Sequence, residues 1–375
     1  MIHVAVLVSG GVDSSLALHE AYHQYKGRTD VQVTAYYLKI WLEDDASFLG
    51  ECPWEEDLSY ARRVCDHIGV PLKVIPLQEE YYREVVSYTL GELKAGRTPS
   101  PDIFCNQRIK FGAFYRAVVA DIGEGQDIRI VTGHYGHIER GQQGEAHLLM
   151  APDPVKDQTY FLSHLHQEQL GRAHFPLGTM TKEAVRHRAR EINLPTRDRP
   201  DSQGICFLGR IRYRDFVAHY LGETVGEIRE YESERVLGEH RGAWFYTIGQ
   251  RQGLGLGNGP WYVVDRSISR NTVWVSHGLQ AERLERHVFT VDSLHAISSA
   301  GASQWVQTPN LHVKLRHGPD LIPAQVALSD GDALQVTLDR GDRGIASGQF
   351  AVFYDPPRCL GAGRIRASQR EQSDD

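Results

Sequence analysis

Seven residues near the start of the chain constrain it most. Positions 9–15 read S-G-G-V-D-S-S, directly after the apolar run 2–8 (IHVAVLV) and directly before 14–24, whose apolar residues recur at helical spacing. Two glycines at a strand-to-helix turn let successive backbone N–H groups converge, and the helix N-terminus adds positive potential. The result is a nest for a polyphosphate. No lysine of the Walker type follows and no G-x-G-x-x-G is present, so kinase-like and dinucleotide-binding loops fit poorly. A first strand of this kind, buried on both faces, belongs to a parallel sheet.

The rest of the N-terminal half agrees. Residues 31–40 (VQVTAYYLKI) have the composition of a buried strand. Residues 55–68 follow as a helix stopped by Gly69 and Pro71, then a strand at 72–75, a helix over 109–122 and a strand at 128–132. Strand–helix alternation predicts an α/β fold with a doubly wound parallel sheet. A further helix over 181–194 ends at Pro195, and 196–209 reads as a loop leaving the first domain. Glycine-punctuated segments then give way, beyond about Arg286, to short alternating strands that suggest a C-terminal antiparallel β-barrel. The predicted domains are 1–205, 206–280 and 281–375.

Composition narrows the setting. The chain has 375 residues, no apolar stretch of membrane-spanning length and no signal pattern at its N-terminus, so a cytoplasmic protein is expected. Five cysteines, at 52, 65, 105, 206 and 359, are too scattered for a disulfide framework, and no C-x-x-C marks a zinc or iron–sulfur site. Net charge is −7, which does not advertise a nucleic-acid partner. Arginines cluster locally, however, at 186, 188, 190, 197 and 199, at 210, 212 and 214, and at 364, 366 and 370, and their forks suit phosphates as well as a solvated helix face. Tyr213 among them suits either stacking on an unpaired base or packing between domains.

Two cysteines stand in distinctive contexts: P-D-I-F-C-N-Q-R-I-K-F-G around Cys105 and D-S-Q-G-I-C-F-L-G around Cys206. With a helix beginning near Gln107, Cys105 would sit at its N-terminus, where the dipole, Arg108 and Lys110 favour a thiolate. A buried structural thiol is the alternative. Cys65 falls on the apolar side of its helix, as a core residue would.

The phosphate loop resembles that of the PP-loop ATP pyrophosphatases. This resemblance implies an adenine-nucleotide α-hydrolase-like domain that cleaves ATP between its α and β phosphates. It also implies ATP contacts from Leu7, Val8, Ser9, Gly10, Gly11, Val12, Asp13, Ser14, Leu38 and Gly133, with transient Mg2+ at Asp13. Together with T-G-H-Y (132–135), K-D-Q-T-Y-F-L (156–162), the two cysteine motifs and G-Q-R-Q-G-L-G-L-G (249–257), the chain resembles the bacterial tRNA-specific 2-thiouridylase family over nearly its whole length. The resemblance implies that ATP adenylates the C2 oxygen of a wobble uridine and that a persulfide on Cys206 supplies the sulfur. Cys105 would resolve the persulfide to a Cys105–Cys206 disulfide, with Asp102 as acid or base. A bridge between residues so far apart in sequence would place one of them on a mobile segment, 196–209. A cysteine desulfurase or sulfur relay protein would deliver the sulfur. Contacts to tRNA would come from Ser100, Pro101, Asp102, His134, Lys156, Asp157, Gln158, Arg316, His317 and Gln349. K-L-R-H-G (314–318) puts a histidine where the family pattern carries an aromatic. Competing readings are a synthetase adenylating a small carboxylate or amide, a non-catalytic RNA-binding protein, and an iron–sulfur thiolase.

Overall fold

The opening apolar run forms β1 (Ile2–Leu7) of a parallel sheet in the computed structural model, which describes residues 1–40, 54–201, 212–282 and 284–366. Next come α1 (Val12–Tyr25), β2 (Val31–Lys39), α2 (Trp54–Ile68), β3 (Leu72–Pro76) and β4 (Asp127–Val131). A hairpin of β5 (His137–Arg140) and β6 (Ala146–Leu149) leaves for another sheet before β7 (Ala173–His174) completes this one, in the order β3-β2-β1-β4-β7. Alternate residues of β1 serve opposite faces. Val4 and Val6 pack under α1 and α2, while Ala5 and Leu7 join the core beneath the helices that follow β3. That two-sided burial explains the uninterrupted apolar run and makes the sheet doubly wound.

One boundary differs from expectation. The helix predicted over 109–122 begins at Pro101, whose fixed φ and missing N–H suit a first helical turn. Helical backbone runs without a break through Pro101–Phe104, a wide π-helical stretch at Cys105–Ala113, and Phe114–Ile122. Cys105 therefore lies a turn inside the helix, not at its N-terminus.

After α3 (Lys182–Glu191), a helix at Tyr213–Leu221 leads into a sheet of four strands: β8 (Gly226–Glu230), β9 (Val236–His240), β10 (Trp261–Ser267) and β11 (Thr272–His277). The C-terminal strands β12 (Arg286–Ala296), β13 (His312–Lys314), β14 (Ile322–Leu328), β15 (Leu334–Asp342), β16 (Phe350–Asp355) and β17 (Arg358–Ile365) pair antiparallel. Pairing of β12 with β17 closes them into a six-stranded barrel. The β5–β6 hairpin docks on its outside through β17, with Cys359 opposite Leu148. Phe350, Val352 and Tyr354 of the barrel also enter the core of the N-terminal domain.

Candidate active site

The phosphate loop is held from three sides. Gly10 adopts φ +78°, and a Cβ there would lie 2.3 Å from the Asp57 carbonyl oxygen. Gly133, at the end of β4, passes so close that a Cβ would meet the Asp13 carbonyl carbon and the Ser14 nitrogen at 2.8 Å. Arg199 donates to the Gly10 carbonyl and to Asp57, both at 2.7 Å, with its guanidinium over the Tyr60 ring. Inside the loop, Ser14 Oγ accepts from the Ser9 amide at 3.1 Å, and Ser15 Oγ donates to the Gly11 carbonyl at 2.8 Å. The N-cap of α1 is Gly11, which has no side chain to take the first-turn amides and leaves them for an anion.

Asp13 faces a cation that does not come from the loop. Lys182, the first residue of α3, places Nζ 2.7 and 2.8 Å from its two carboxylate oxygens, and Tyr135 Oη donates to it at 2.9 Å. Burial first, and Asp13 second, push the Tyr135 hydroxyl far up, so it stays a donor. Lys182 also lies 2.8 Å from Asp201, which Lys156 reaches at 2.9 Å and Arg186 contacts too. Burial alone would raise the Asp201 carboxyl, but these three cations outweigh it and hold it well below the usual carboxylate range.

In front of the loop is a cavity of about 310 Å³. Leu7, Val8, Leu38, Ile40 and Ile109 make one part apolar, and Ser9, Asp13, Ser14, His134 and Gln158 make another polar. An apolar wall beside a few converging polar groups suits a nucleotide. Gly133, Lys110 and Cys105 line the same cavity. Burial first, then the nearby Lys110 charge, hold His134 well below its ordinary value, so its ring is neutral. Cys105 is buried, as are Cys65 and Cys359, and burial pushes the Cys65 thiol up to about 12 and Cys359 higher still. Cys65 is the core residue expected.

The other expected positions scatter. Ser100 caps the helix that Pro101 opens, donating its amide to Tyr88 Oη at 3.2 Å, with Asp102 in the first turn. None of these three is among the residues lining the cavity, although Cys105 a turn later is. Distant parts of the chain hold the segment just before them. Arg266 reaches the Gly96 carbonyl and Thr98 Oγ1, and the Thr98 amide donates to the Ser347 carbonyl at 2.7 Å. Arg316 is forked onto Asp342, His317 stacks on Phe161 at 4.8 Å, and Gln349 ends a β-turn-like bend whose carbonyl accepts from Ile365.

Asp157 requires a correction. It is wholly buried, pairs with the equally buried Lys314 at 2.8 Å, and accepts from Thr159 Oγ1 and the Ala151 amide. A carboxylate with no exposed surface meets no RNA, and this one staples the N-terminal domain to the barrel. Many of the described arginines in the clusters have partners within the protein. Arg186 serves Asp201 and the Arg197 and Arg199 carbonyls, Arg188 serves Glu20 and Glu191, Arg212 pairs with Asp215, and Arg364 and Arg366 share Asp292. Tyr213 is packed against the main core, which decides for interdomain packing. Cys206, Cys52, Arg210 and Arg370 lie outside the described residues.

Sequence reasoning missed Lys182, Tyr135 and Arg199 as loop partners. One signal was present: a phosphate loop with no lysine of its own asks for a cation from elsewhere in the chain.

Comparison with known proteins accounts for the whole chain. Three family models match in sequence: the tRNA methyl transferase HUP domain over residues 2–210, the tRNA methyl transferase PRC-barrel domain over 214–277, and the Aminomethyltransferase beta-barrel domain over 286–365. The tRNA-specific 2-thiouridylase MnmA of Parabacteroides distasonis is 39% identical over 366 residues, 97% of this chain and 99% of that protein. MnmA 1 of Bacteroides thetaiotaomicron is 39% identical over 367 residues, with the same coverage. The chain belongs to the tRNA-specific 2-thiouridylase family. MnmA of Porphyromonas gingivalis, 39% identical over 370 residues, covers 96% of the chain in the same way. As a 2-thiouridylase family member the protein is a sulfurtransferase, although two of the domain descriptions carry the words methyl transferase. Among the described residues no helix is long and apolar enough to cross a membrane.

Proposed function

We propose that this enzyme uses ATP to adenylate the C2 oxygen of a tRNA wobble uridine and replaces that oxygen with sulfur from a persulfide on Cys206. The observation that carries the reading is the single cavity lined by Ser9, Asp13 and Ser14 of the phosphate loop and by Cys105. The two halves of the reaction need adjacent sites, since the adenylated uridine must meet sulfur before water reaches it.

In this reading Gly10, Gly11, Val12 and Ser14 offer backbone and hydroxyl donors to the phosphates, and Leu7, Val8 and Leu38 receive the adenine. Asp13 fits a magnesium that arrives on the nucleotide, because a hard cation takes carboxylate and phosphate oxygens together. Among the described residues no group of three or more His, Cys, Asp or Glu side chains is placed to hold a metal by itself. The ion would neutralise charge on the departing pyrophosphate. Lys182 lies where it can follow that charge from Asp13 onto the phosphates.

The uridine O2 attacks the α-phosphorus and pyrophosphate leaves. Sulfur then adds to C2, either as the terminal persulfide sulfur or, where the Cys105 attack that follows comes first, as the hydrosulfide that attack releases, and AMP departs with the former O2. Cys105 attacks Cys206 Sγ, the persulfide S–S bond breaks, and a Cys105–Cys206 disulfide remains for an external thiol to reduce. Asp102 moves the proton at the base edge, and Ser100 and Pro101 frame the base. His134 and Gln158 meet the part of the tRNA that enters the cavity, with Lys156, Arg316, His317 and Gln349 outside it. Residues 1–205 bind ATP and carry Asp102 and Cys105, Cys206 supplies the sulfur from the start of the next unit, and the rest of 206–280 and 281–375 help to hold the tRNA. A cysteine desulfurase or relay protein loads Cys206.

The test is mass spectrometry of nucleosides from unmodified tRNA incubated with enzyme, ATP, magnesium and a persulfide donor, beside Cys206→Ser and a no-ATP control. Thiouridine that requires both ATP and Cys206 is the expected result. Thiolation persisting in Cys206→Ser would remove the persulfide step. AMP formation with no thiouridine on folded tRNA would favour a small acceptor instead.

A further inference from the structure

The T-G-H-Y motif puts a histidine at the cavity and fixes which of its nitrogens carries the hydrogen. His134 lies against Phe111 and Phe175, with ring centroids 6.3 and 5.8 Å away, and little of it is exposed. Its Nδ1 is 2.7 Å from Thr132 Oγ1. Its Nε2 bonds to none of the described residues, yet it is not a buried orphan like His164 Nδ1 or His240 Nε2, so it opens into the cavity that the residue lines. Burial first, and the Lys110 charge second, keep the ring neutral, so one nitrogen donates and the other accepts.

Thr132 decides which. It is buried, and His134 is the partner of its hydroxyl among the described residues. Were Nδ1 the donor, the hydroxyl hydrogen would be left without an acceptor, and a buried donor left unmade is costly. With the hydroxyl donating to Nδ1, both groups are satisfied and the ring hydrogen sits on Nε2, toward the cavity. Gln158, which lines the same cavity, is fixed in the same sense. Its Oε1 accepts from the Tyr135 amide at 3.0 Å, and its backbone amide donates to the Tyr135 carbonyl at 2.8 Å. With its oxygen engaged, this side chain has Nε2–H to offer.

Covalent order says what such donors would meet. Gly133 runs against the backbone of Asp13 and Ser14, so His134 follows directly from the flank of the phosphate loop. An ATP with its adenine on Leu7, Val8 and Leu38 and its β- and γ-phosphates on the loop carries its α-phosphate between the two. We propose that His134 Nε2–H and Gln158 Nε2–H are uncharged donors to the α-phosphoryl oxygens, stabilising the charge that gathers there as the uridine O2 attacks. Thr132 is the positioning residue that keeps His134 a donor. The α-phosphoryl group leaves ATP and arrives on the uridine, so both side chains then meet tRNA as well. A neutral imidazole can serve as such a donor, and donors fixed before the charge develops contribute most. This inference rests on the adenylation reading above.

The ring hydrogen is located first, by 15N NMR of the full-length protein labelled at histidine, without tRNA or ATP. The His134 signals, identified by their loss in His134→Gln, should be those of an Nε2–H ring. The Nδ1–H form should appear in Thr132→Val, and Thr132→Ser should restore the first. Pyrophosphate release is then timed with ATP, magnesium and unmodified tRNA. Thr132→Val should lower kcat about tenfold with the KM for ATP changed less than about twofold, and His134→Phe should lower kcat about a hundredfold, the scale of one lost donor. If Thr132→Val lowers the thermal midpoint, Thr132→Ala is read in its place. An Nδ1–H ring in the wild type, or a changed ring hydrogen with unchanged kcat, would overturn the proposal. So would a loss of kcat in Thr132→Ser equal to that in Thr132→Val, the mark of a packing role. Wild-type enzyme that releases no pyrophosphate would instead remove the adenylation reading, and this role with it, whichever nitrogen holds the hydrogen.

Discussion

At the level of single residues, the site is built as much by what is missing as by what is present. Gly133 carries no chemistry, yet a Cβ there would sit 2.8 Å from the backbone of Asp13 and Ser14. Gly133→Ala must push the phosphate loop away, and overpacking of this kind costs about 1–3 kcal/mol. Because the strain falls on the loop, we expect ATP affinity by calorimetry to drop about tenfold or more, and the thermal midpoint to fall by a few degrees. Gly133 was legible in the sequence as part of T-G-H-Y, whereas the reason for it was not, since β4 and the loop are more than a hundred positions apart. Asp157 shows the converse. Within K-D-Q-T-Y-F-L it was expected to touch tRNA, and only the fold discloses that its partner is Lys314 and that neither sees solvent.

Elements were legible where period and punctuation agreed. Residues 55–68 announced a helix by their apolar spacing and by Gly69, which indeed leaves the helix at φ +82°. The strands of the barrel showed their alternation in the same way, and β14 has it most plainly (Ile322, Ala324 and Val326 inward). The π-helical stretch was not legible, because a change in turn width leaves no periodic mark over nine residues. Nor was the contribution of α3, read from its arginines as a basic helix while its first residue, Lys182, does the work at Asp13. Lys182→Ala should raise the KM for ATP by about tenfold or more, the scale of a lost charge-assisted contact, and Lys182→Arg should recover part of it. An unchanged KM would make Lys182 a structural partner of Asp13 and Asp201 alone.

Across the whole molecule, the junction between catalytic domain and barrel is held by polar groups that tolerate no loss. Lys314→Met leaves Asp157 charged and buried, and breaking such a pair costs about 3–5 kcal/mol. Thermal unfolding should register that loss, and adding Asp157→Leu to Lys314→Met should return much of it, since the uncompensated charge is gone. The fold is also acid-sensitive. Burial keeps His134 neutral, and burial with the His295 charge second holds His164 down to about 3. Unfolded, both take up a proton below the ordinary histidine value of 6.5, so unfolding binds protons and stability rises with pH there. Urea midpoints should therefore fall steadily as pH drops from 6.5 toward 5, before carboxylates matter, and His164→Phe should make that fall shallower.

If the cavity joining phosphate loop and cysteine activates the oxygen that sulfur replaces, that oxygen must leave on AMP. Transcribed tRNA carrying 18O at C2 of the wobble uridine tests it in a single turnover, with AMP analysed by mass spectrometry. Label appearing in AMP, one atom for each thiouridine formed, is the predicted result. Thiouridine formed alongside unlabelled AMP would contradict it, because the oxygen would then have left by a route that the nucleotide does not share.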